Sequence, residues 1–434
     1  MEPQPNAAIL PDRADTLAIG RYRWVICALL FYATTVNYMD RSVLAVLSPM
    51  LKTQIGWSDT QYGNINAAFS AAYAVGLLFA GGLVDKFGVR AGYPIAMALW
   101  GLASISHGLV HTVLGFGIAR VFLGLFEAAN FPAAMKSVAE WFPRRERSLC
   151  VGLFNAGSNV GAILAPLIVP IIATSVWGWR PAFCITGVAE LVWIFFWISI
   201  YRKPEDHPRV SATELAYIRS DPVESSVKIS WRKLLPFPQT WAFALGKFLT
   251  DPVWWLWLFW AAPYLNEKFH TDIKHIGPPL IVIYVLADAG SIGGGWIATF
   301  LSRLGFTHNA CRKIAMLICA LCVVPVVLAT RVDNMWAVVL LIGLAAAAHQ
   351  GFSANLFALA GDLFPRRCVA SVVGIGGMFG AVAGIVMQLE VGRIVDRWHT
   401  FLPLFIYAGS AYLVAVLTIQ LLSPRLAMIA EPQN

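Results

Sequence analysis

The sequence predicts an all-α integral membrane fold, with twelve membrane-crossing helices arranged as two halves of six. Three observations carry that prediction. Of the 434 residues, 58% are hydrophobic and 13% charged, against about 25% charged in a soluble globular chain. Apolar runs of roughly 20 residues, the length that crosses a hydrocarbon core of about 30 Å, recur along the whole chain. None alternates with the two-residue period of a membrane barrel, so helices must satisfy the backbone. Finally, Phe-Pro-Arg-Arg occurs at 142–145 and again at 364–367. Each copy leads into a glycine-rich apolar run, with Gly152 and Gly374 at the same offset of 222 residues.

The elements follow in order. The N-terminal half, residues 1–201, opens on a polar stretch of about twenty residues. That stretch lacks the short apolar core and small-residue cleavage site of a signal peptide, so it reads as a cytoplasmic tail. Apolar runs then lie near 22–45, 60–84, 91–109, 113–136, 148–173 and 181–201. Residues 202–238 form the longest polar stretch and carry Pro204, Pro208, Pro222, Pro236 and Pro238, so they read as a cytoplasmic linker. Within it Ser211-Ala-Thr-Glu214 is a capping-box signature for a short helix, with a disordered linker as the alternative. The C-terminal half, 239–434, has runs near 239–264, 275–301, 311–330, 335–360, 369–392 and 402–422, then a second cytoplasmic tail. Gly157 and Gly161 in one post-FPRR run, and Gly376, Gly380 and Gly384 in the other, have the four-residue spacing that lets helices approach closely. Such stripes also suit sliding contacts between halves.

The net charge of +8 reflects topology rather than nucleic-acid binding. With both termini placed inside, internal segments hold 21 of the 32 Lys and Arg residues and external ones 7. That excess is the positive-inside pattern and fixes the orientation. Seven cysteines lie mainly in or beside apolar runs, and Cys319-x-x-Cys322 has no His or Asp ligand nearby. They read as small buried hydrophobes, with no metal or cofactor. No nucleophile–base pair or metal cluster occurs at workable spacing, so an enzyme is not the expected reading.

Charges inside the apolar runs point to function. Each costs roughly 2.5–3.5 kcal/mol at a lipid-facing helix centre, so such residues line polar interiors. Arg120 and Glu127 share a run and one helix face, seven residues and about 10 Å apart. Asp40 and Arg41 sit adjacent in the first run, about 100° apart around the helix, and cannot meet at one atom. Tyr38 with Asn37 and Arg41, and Tyr73 with Asn66 and Ser70, form polar stripes. Those stripes either line a cavity or bond neighbouring helices. In the C-terminal half, His349 lies 222 residues after Glu127, and Lys247, Asp251, Asp288, Gln350 and Asn355 are the other polar residues.

Gly81-Gly-Leu83-Val-Asp85-Lys86-Phe-Gly88-Val-Arg90 resembles the loop motif of the major facilitator superfamily, with Lys86 and Val89 at two of its Arg positions. With two halves of six runs, the resemblance covers essentially the whole chain and implies that fold. It further implies a conformational latch built on Asp85 and Arg90. Asn37-Tyr38-Met39-Asp40-Arg41 and Ala119-Arg120-x6-Glu127-Ala-Ala-Asn-Phe-Pro132 resemble the anion:cation symporter branch. In that branch, acids at the positions of Asp40 and Glu127 take up the coupling proton. The strings around Lys247–Trp255, Ala287-Asp288 and Ala348-His349-Gln350 resemble hexuronate transporters, which import glucuronate and galacturonate with a proton.

A sugar acid needs a cation for its carboxylate, and an arginine fork binds both oxygens. Arg120 is the first candidate and Arg41 the second. The structural alternative is that Arg120 neutralises Glu127 while Arg41 pairs with an acid elsewhere. Tyr38, Tyr73, Lys247, Asp251, His349, Gln350 and Asn355 complete the expected binding set. Lys247 and Asp251, spaced i, i+4, also suit a neutralising pair, and Trp254, Trp255 and Trp257 suit either stacking on substrate or interfacial anchoring. The expected function is proton-coupled import of a hexuronate or related sugar acid. Galactonate, a dicarboxylate, an aromatic acid, sodium coupling and a non-transporting nutrient sensor are the alternatives. The partners are then a small carboxylate, protons and lipid. The chain is expected to act as a monomer in a bacterial inner membrane.

Overall fold

A computed structural model describes residues 20–221, 231–426 and 428–429, without the side chains of Asp85, Arg144, Ser148, Trp231, Arg366, Arg367 and Ala370. Thirteen α-helices occur among the described residues. The N-terminal half contains α1 (Arg23–Ile55), α2 (Asp59–His107), α3 (Val113–Glu127), α4 (Asn130–Trp141), α5 (Arg144–Ala173) and α6 (Arg180–Ile200). After the short α7 (Ala212–Ile218) come α8 (Pro238–Phe269), α9 (Gly277–Arg303), α10 (His308–Val323), α11 (Met335–Leu363), α12 (Arg366–Trp398) and α13 (Leu402–Leu422).

These helices make twelve crossings. The second and third runs are the two parts of α2, separated by a kink at Gly88, whose φ of 71° and ψ of 160° are non-helical and suit a residue without a Cβ. The fourth crossing is α3 followed by α4, and the ninth is α10 extended by a 3₁₀ turn, Val324–Thr330. Nine described spans are long and apolar enough to cross a membrane on their own. Neither α1 nor α8 is among them, because Asn37, Asp40 and Arg41 or Lys247 and Asp251 interrupt their apolar character. Both of these crossings carry expected site residues.

The FPRR repeat has a common structural use. Phe142 and Phe364 are buried, and Pro143 and Pro365 precede the first turns of α5 and α12. A proline ring suits a helix start, where its missing N–H has no intrahelical partner anyway. The glycine stripes pack within each half rather than across halves. Gly157 and Gly161 press on the α1 backbone at Phe31, Thr35 and Met39, while Gly376, Gly380 and Gly384 face Phe243, Asp251 and Trp255 of α8. The anticipated sliding role of these stripes is thus corrected.

Other glycines make the contacts between halves. A Cβ on Gly63 would strike the Gln388 carbonyl, one on Gly392 the Asp59 backbone, and one on Gly277 the Pro166 carbonyl. The Tyr62 hydroxyl donates to the Phe259 carbonyl at 2.8 Å. Asp396 of α12 accepts the Asp59 and Thr60 backbone N–H groups at 3.0 and 2.7 Å. A carboxylate at a helix N-terminus meets free donors and the positive end of the dipole. All these contacts cluster at the end where α1 finishes and α2 begins.

In the 202–238 segment, α7 forms as the capping signature suggested, and the Ser211 hydroxyl accepts from the Glu214 N–H at 3.1 Å. The Glu214 carboxylate reaches Arg23 of α1 at 3.2 Å. Arg23 also holds Glu146 at 2.7 Å. The helix is thereby clipped to the N-terminal half.

Candidate functional site

Two polar regions lie back to back at mid-depth. The first is a buried charge cluster in the N-terminal half. Arg41 Nε donates to Glu127 Oε2 at 3.0 Å, with side chains 2% and 0% exposed. The Arg41 guanidinium lies over the rings of Tyr73, Tyr38 and Phe69 at 4.6, 4.9 and 5.5 Å. Aromatic faces attract a desolvated cation, so this packing compensates part of the burial. Arg120 is fully buried beneath Phe69, and its Nη2 donates to the Arg41 carbonyl at 3.4 Å.

The structural alternative of an Arg120–Glu127 pair is not found: Arg41 takes Glu127. Both α3 residues do share a face, but seven residues of rise separate them by about 10 Å. Arg41 enters from α1 and occupies the carboxylate first. Asp40, about 100° further round α1, points the other way. It accepts the Ser104 hydroxyl of α2 at 2.8 Å, and Ser104 in turn meets Thr186 of α6 at 3.0 Å.

The second region is a predominantly polar cavity of about 220 Å³ between the halves. Tyr38, Asn155, Ser158 and Asn159 line it from the N-terminal half. Lys247, Asp251, Trp254, Trp255, Ser291, His349, Gln350 and Ser353 line it from the C-terminal half. Lys247 Nζ meets Asp251 at 2.8 Å, as their spacing anticipates, and lies 4.6 Å over the Phe357 ring. His349 Nδ1 shares a 2.6 Å hydrogen bond with the Tyr412 hydroxyl, and its ring stacks on Trp254 at 5.4 Å and 13°. Trp254 and Trp255 are cavity residues, whereas Trp257 packs on Phe405 in the core.

The structure thus unites Tyr38, Lys247, Asp251, His349 and Gln350 around one space. Arg41, Tyr73, Arg120 and Glu127 lie behind it, and Tyr38 is the shared wall because its ring faces both Arg41 and the cavity. Asn355 stands apart: its amide donates to the Gly294 and Gly351 carbonyls, both at 2.9 Å, and ties α11 to α9. Asn37 and Asn66 are fully buried and do not line the cavity. Of the expected latch, Arg90 is exposed, and the Asp85 side chain lies outside the described residues.

Sequence reasoning missed Glu190 of α6, a fully buried acid. Its signal was present: one carboxylate in the otherwise apolar span Arg180–Ile200. Ser104, Thr186, Ser291 and Ser353 gave no comparable signal, since hydroxyls are common in membrane helices.

Two six-helix bundles enclosing a polar cavity, with ionisable groups at mid-membrane depth, define a multi-pass solute transporter. The chain belongs to the Major Facilitator Superfamily, whose family model matches residues 30–388. It is a membrane transporter, not an enzyme. It is 32% identical over 389 residues to the hexuronate transporter of Escherichia coli strain K12, spanning 88% of this chain and 90% of that one. Against the galacturonate transporter of Dickeya chrysanthemi it is 33% identical, over 65% of this chain and 83% of that one. Among solved structures, a D-xylose-proton symporter shares the fold with a TM-score of 0.73 at 16% identity, covering 92% of this chain and 97% of that one.

Proposed function

We propose that this protein is a proton-coupled symporter that imports a hexuronate or related sugar acid by alternating access. Residues 1–201 and 239–434 are the two units that rock, and 202–238 connects them. Both termini face the cytoplasm of a bacterium, as the Lys and Arg distribution favours. The contacts at the α1–α2 end then form the external seal.

The observation that carries this reading is the Arg41–Glu127 pair behind Tyr38. While Glu127 is ionised it neutralises Arg41. Protonating Glu127 leaves a buried guanidinium without its counter-ion, which is costly in a dry site. An incoming carboxylate supplies the missing charge once Tyr38 and Arg41 turn toward the cavity, with Arg120 as a second donor behind it. Proton and anion therefore enter together, and either alone leaves an unbalanced charge to occlude. On the opposite wall, Lys247, Asp251, His349 and Gln350 offer donors and acceptors for hydroxyls, and Trp254 offers a flat face for a sugar ring. Asp40 is the second protonatable acid. In this scheme Asp85 and Arg90 remain the internal latch.

Names of relatives support the substrate class: hexuronate, galacturonate and D-galactonate transporters among them. Lys247 is already neutralised by Asp251, which favours a monoacid over a diacid. The test is uptake into proteoliposomes across glucuronate, galacturonate, galactonate and galactarate, with and without an imposed pH gradient. Accumulation of a hexuronate that needs the gradient supports the reading. Uptake indifferent to the gradient, or restricted to diacids, removes it.

A further inference from the structure

We propose that Glu190 belongs to the proton site, where it shares one proton with Asp40. The inference deepens the reading of Asp40 as a protonatable acid and rests on it in that respect. Its basis is a charge and hydrogen-bond count. Among the described residues, the buried interior of the N-terminal half holds three carboxyl groups, Asp40, Glu127 and Glu190, and two guanidiniums, Arg41 and Arg120, all at most 2% exposed. Arg41 is committed to Glu127, and Arg120 donates to the Arg41 carbonyl. His107, also buried, contacts the Ala103 carbonyl and the Phe183 ring rather than a carboxyl group.

Neither Glu190 oxygen has a hydrogen-bond donor among the described residues, and neither does Asp40 Oδ2. Asp40 Oδ1 has one donor, Ser104. Glu190 lies one turn beyond Thr186 on α6 and against Gly101, one turn before Ser104 on α2, and Ser104 bonds both Thr186 and Asp40, so the two carboxyl groups share one pocket. The Trp100 indole N–H, also without a partner among the described residues, adjoins Gly101, and Glu127 of α3 and Tyr32 of α1 are the other titratable neighbours. The pocket is shaped for it: Gly101 leaves the carboxyl room, since a Cβ there would lie 2.8 Å from Glu190 Oε2. Two acceptors sharing one pocket repel when both are ionised, and a buried, uncompensated carboxylate is costly. One proton between them supplies the missing donor to both residues and brings three acids and two cations to balance. Glu190 is then the reservoir that keeps Asp40 supplied as the halves move.

Infrared difference spectroscopy of the purified full chain tests this directly through the C=O stretch of protonated carboxyl groups. At neutral pH the wild type shows such a band; Glu190→Gln loses it and Asp40→Asn shifts it. Glutamine retains a donor toward Asp40, so the variant keeps its unfolding temperature. A band unchanged in Glu190→Gln overturns the proposal. Should that variant fail to fold, an unshifted band in Asp40→Asn overturns it equally. The spectroscopic result is independent of transport: if the band behaves as stated while uptake ignores the pH gradient, the shared proton stands and the coupling scheme falls.

Discussion

The polar residues of the two halves face one another across Tyr38, yet they are built on opposite plans. In the N-terminal half the charges are buried, with Arg41 and Glu127 ion-paired and the Arg41 guanidinium covered by aromatic rings. In the C-terminal half the corresponding residues line the cavity, with a lysine and an acid already paired on one helix and a histidine held by a tyrosine hydroxyl. His349 and Glu127, 222 residues apart in the repeat, show the contrast at matched positions: one stands at the cavity wall, the other behind it. The difference teaches a division of labour. A group that must bind and release a proton benefits from a dry site where its charge state changes the energy strongly. A group that recognises hydroxyls must be reachable.

The largest effect is expected from truncating the dry pair. Arg41→Ala leaves Glu127 buried without its partner, a loss of about 3–5 kcal/mol, and abolishes transport. Adding Glu127→Gln to Arg41→Ala removes the stranded charge and restores part of the stability. A double variant that unfolds at or below the temperature of the single one would break the contrast between halves. Lys247→Gln should act differently. It lines the cavity, so substrate affinity falls roughly tenfold, equivalent to about 1.4 kcal/mol, while the fold tolerates the change. A loss of stability comparable to that of Arg41→Ala would show that the C-terminal wall is structural too. The smallest effect is expected at the external seal. Asp396→Asn removes the charge that caps α2 but keeps an acceptor, so about 0.3–1 kcal/mol is lost. Distance measurements by spin labels on α2 and α12 should then show a modestly larger separated population.

How much of this was legible in the chain depends on the kind of signal. Membrane helices announce themselves by length and apolarity, so the twelve crossings and the repeat were readable from residues alone. The break between the second and third runs falls at Gly88, where a positive φ takes the backbone out of helical geometry. Charges in apolar runs marked Asp40, Arg41, Arg120 and Glu127 as a set. Their pairing was not readable: spacing along α3 says which residues share a face, but α1 decides which arginine arrives. Asn355 looked like a cavity residue because it is polar, yet it spends its amide on two backbone carbonyls. Glu190 was readable by the rule that singled out Glu127. The seal between Asp396 and the start of α2 was not, since it joins residues more than 330 positions apart.

The central claim is that protonation of Glu127 releases Arg41 for the substrate. The most direct test is Glu127→Gln in proteoliposomes, reading hexuronate binding against pH together with exchange and uphill accumulation. In the wild type, affinity should rise as pH falls, because a protonated Glu127 leaves Arg41 free. The variant should bind with an affinity that no longer varies with pH, should exchange substrate, and should fail to accumulate it against a gradient. Accumulation driven by a pH gradient at the wild-type level in Glu127→Gln would contradict the account.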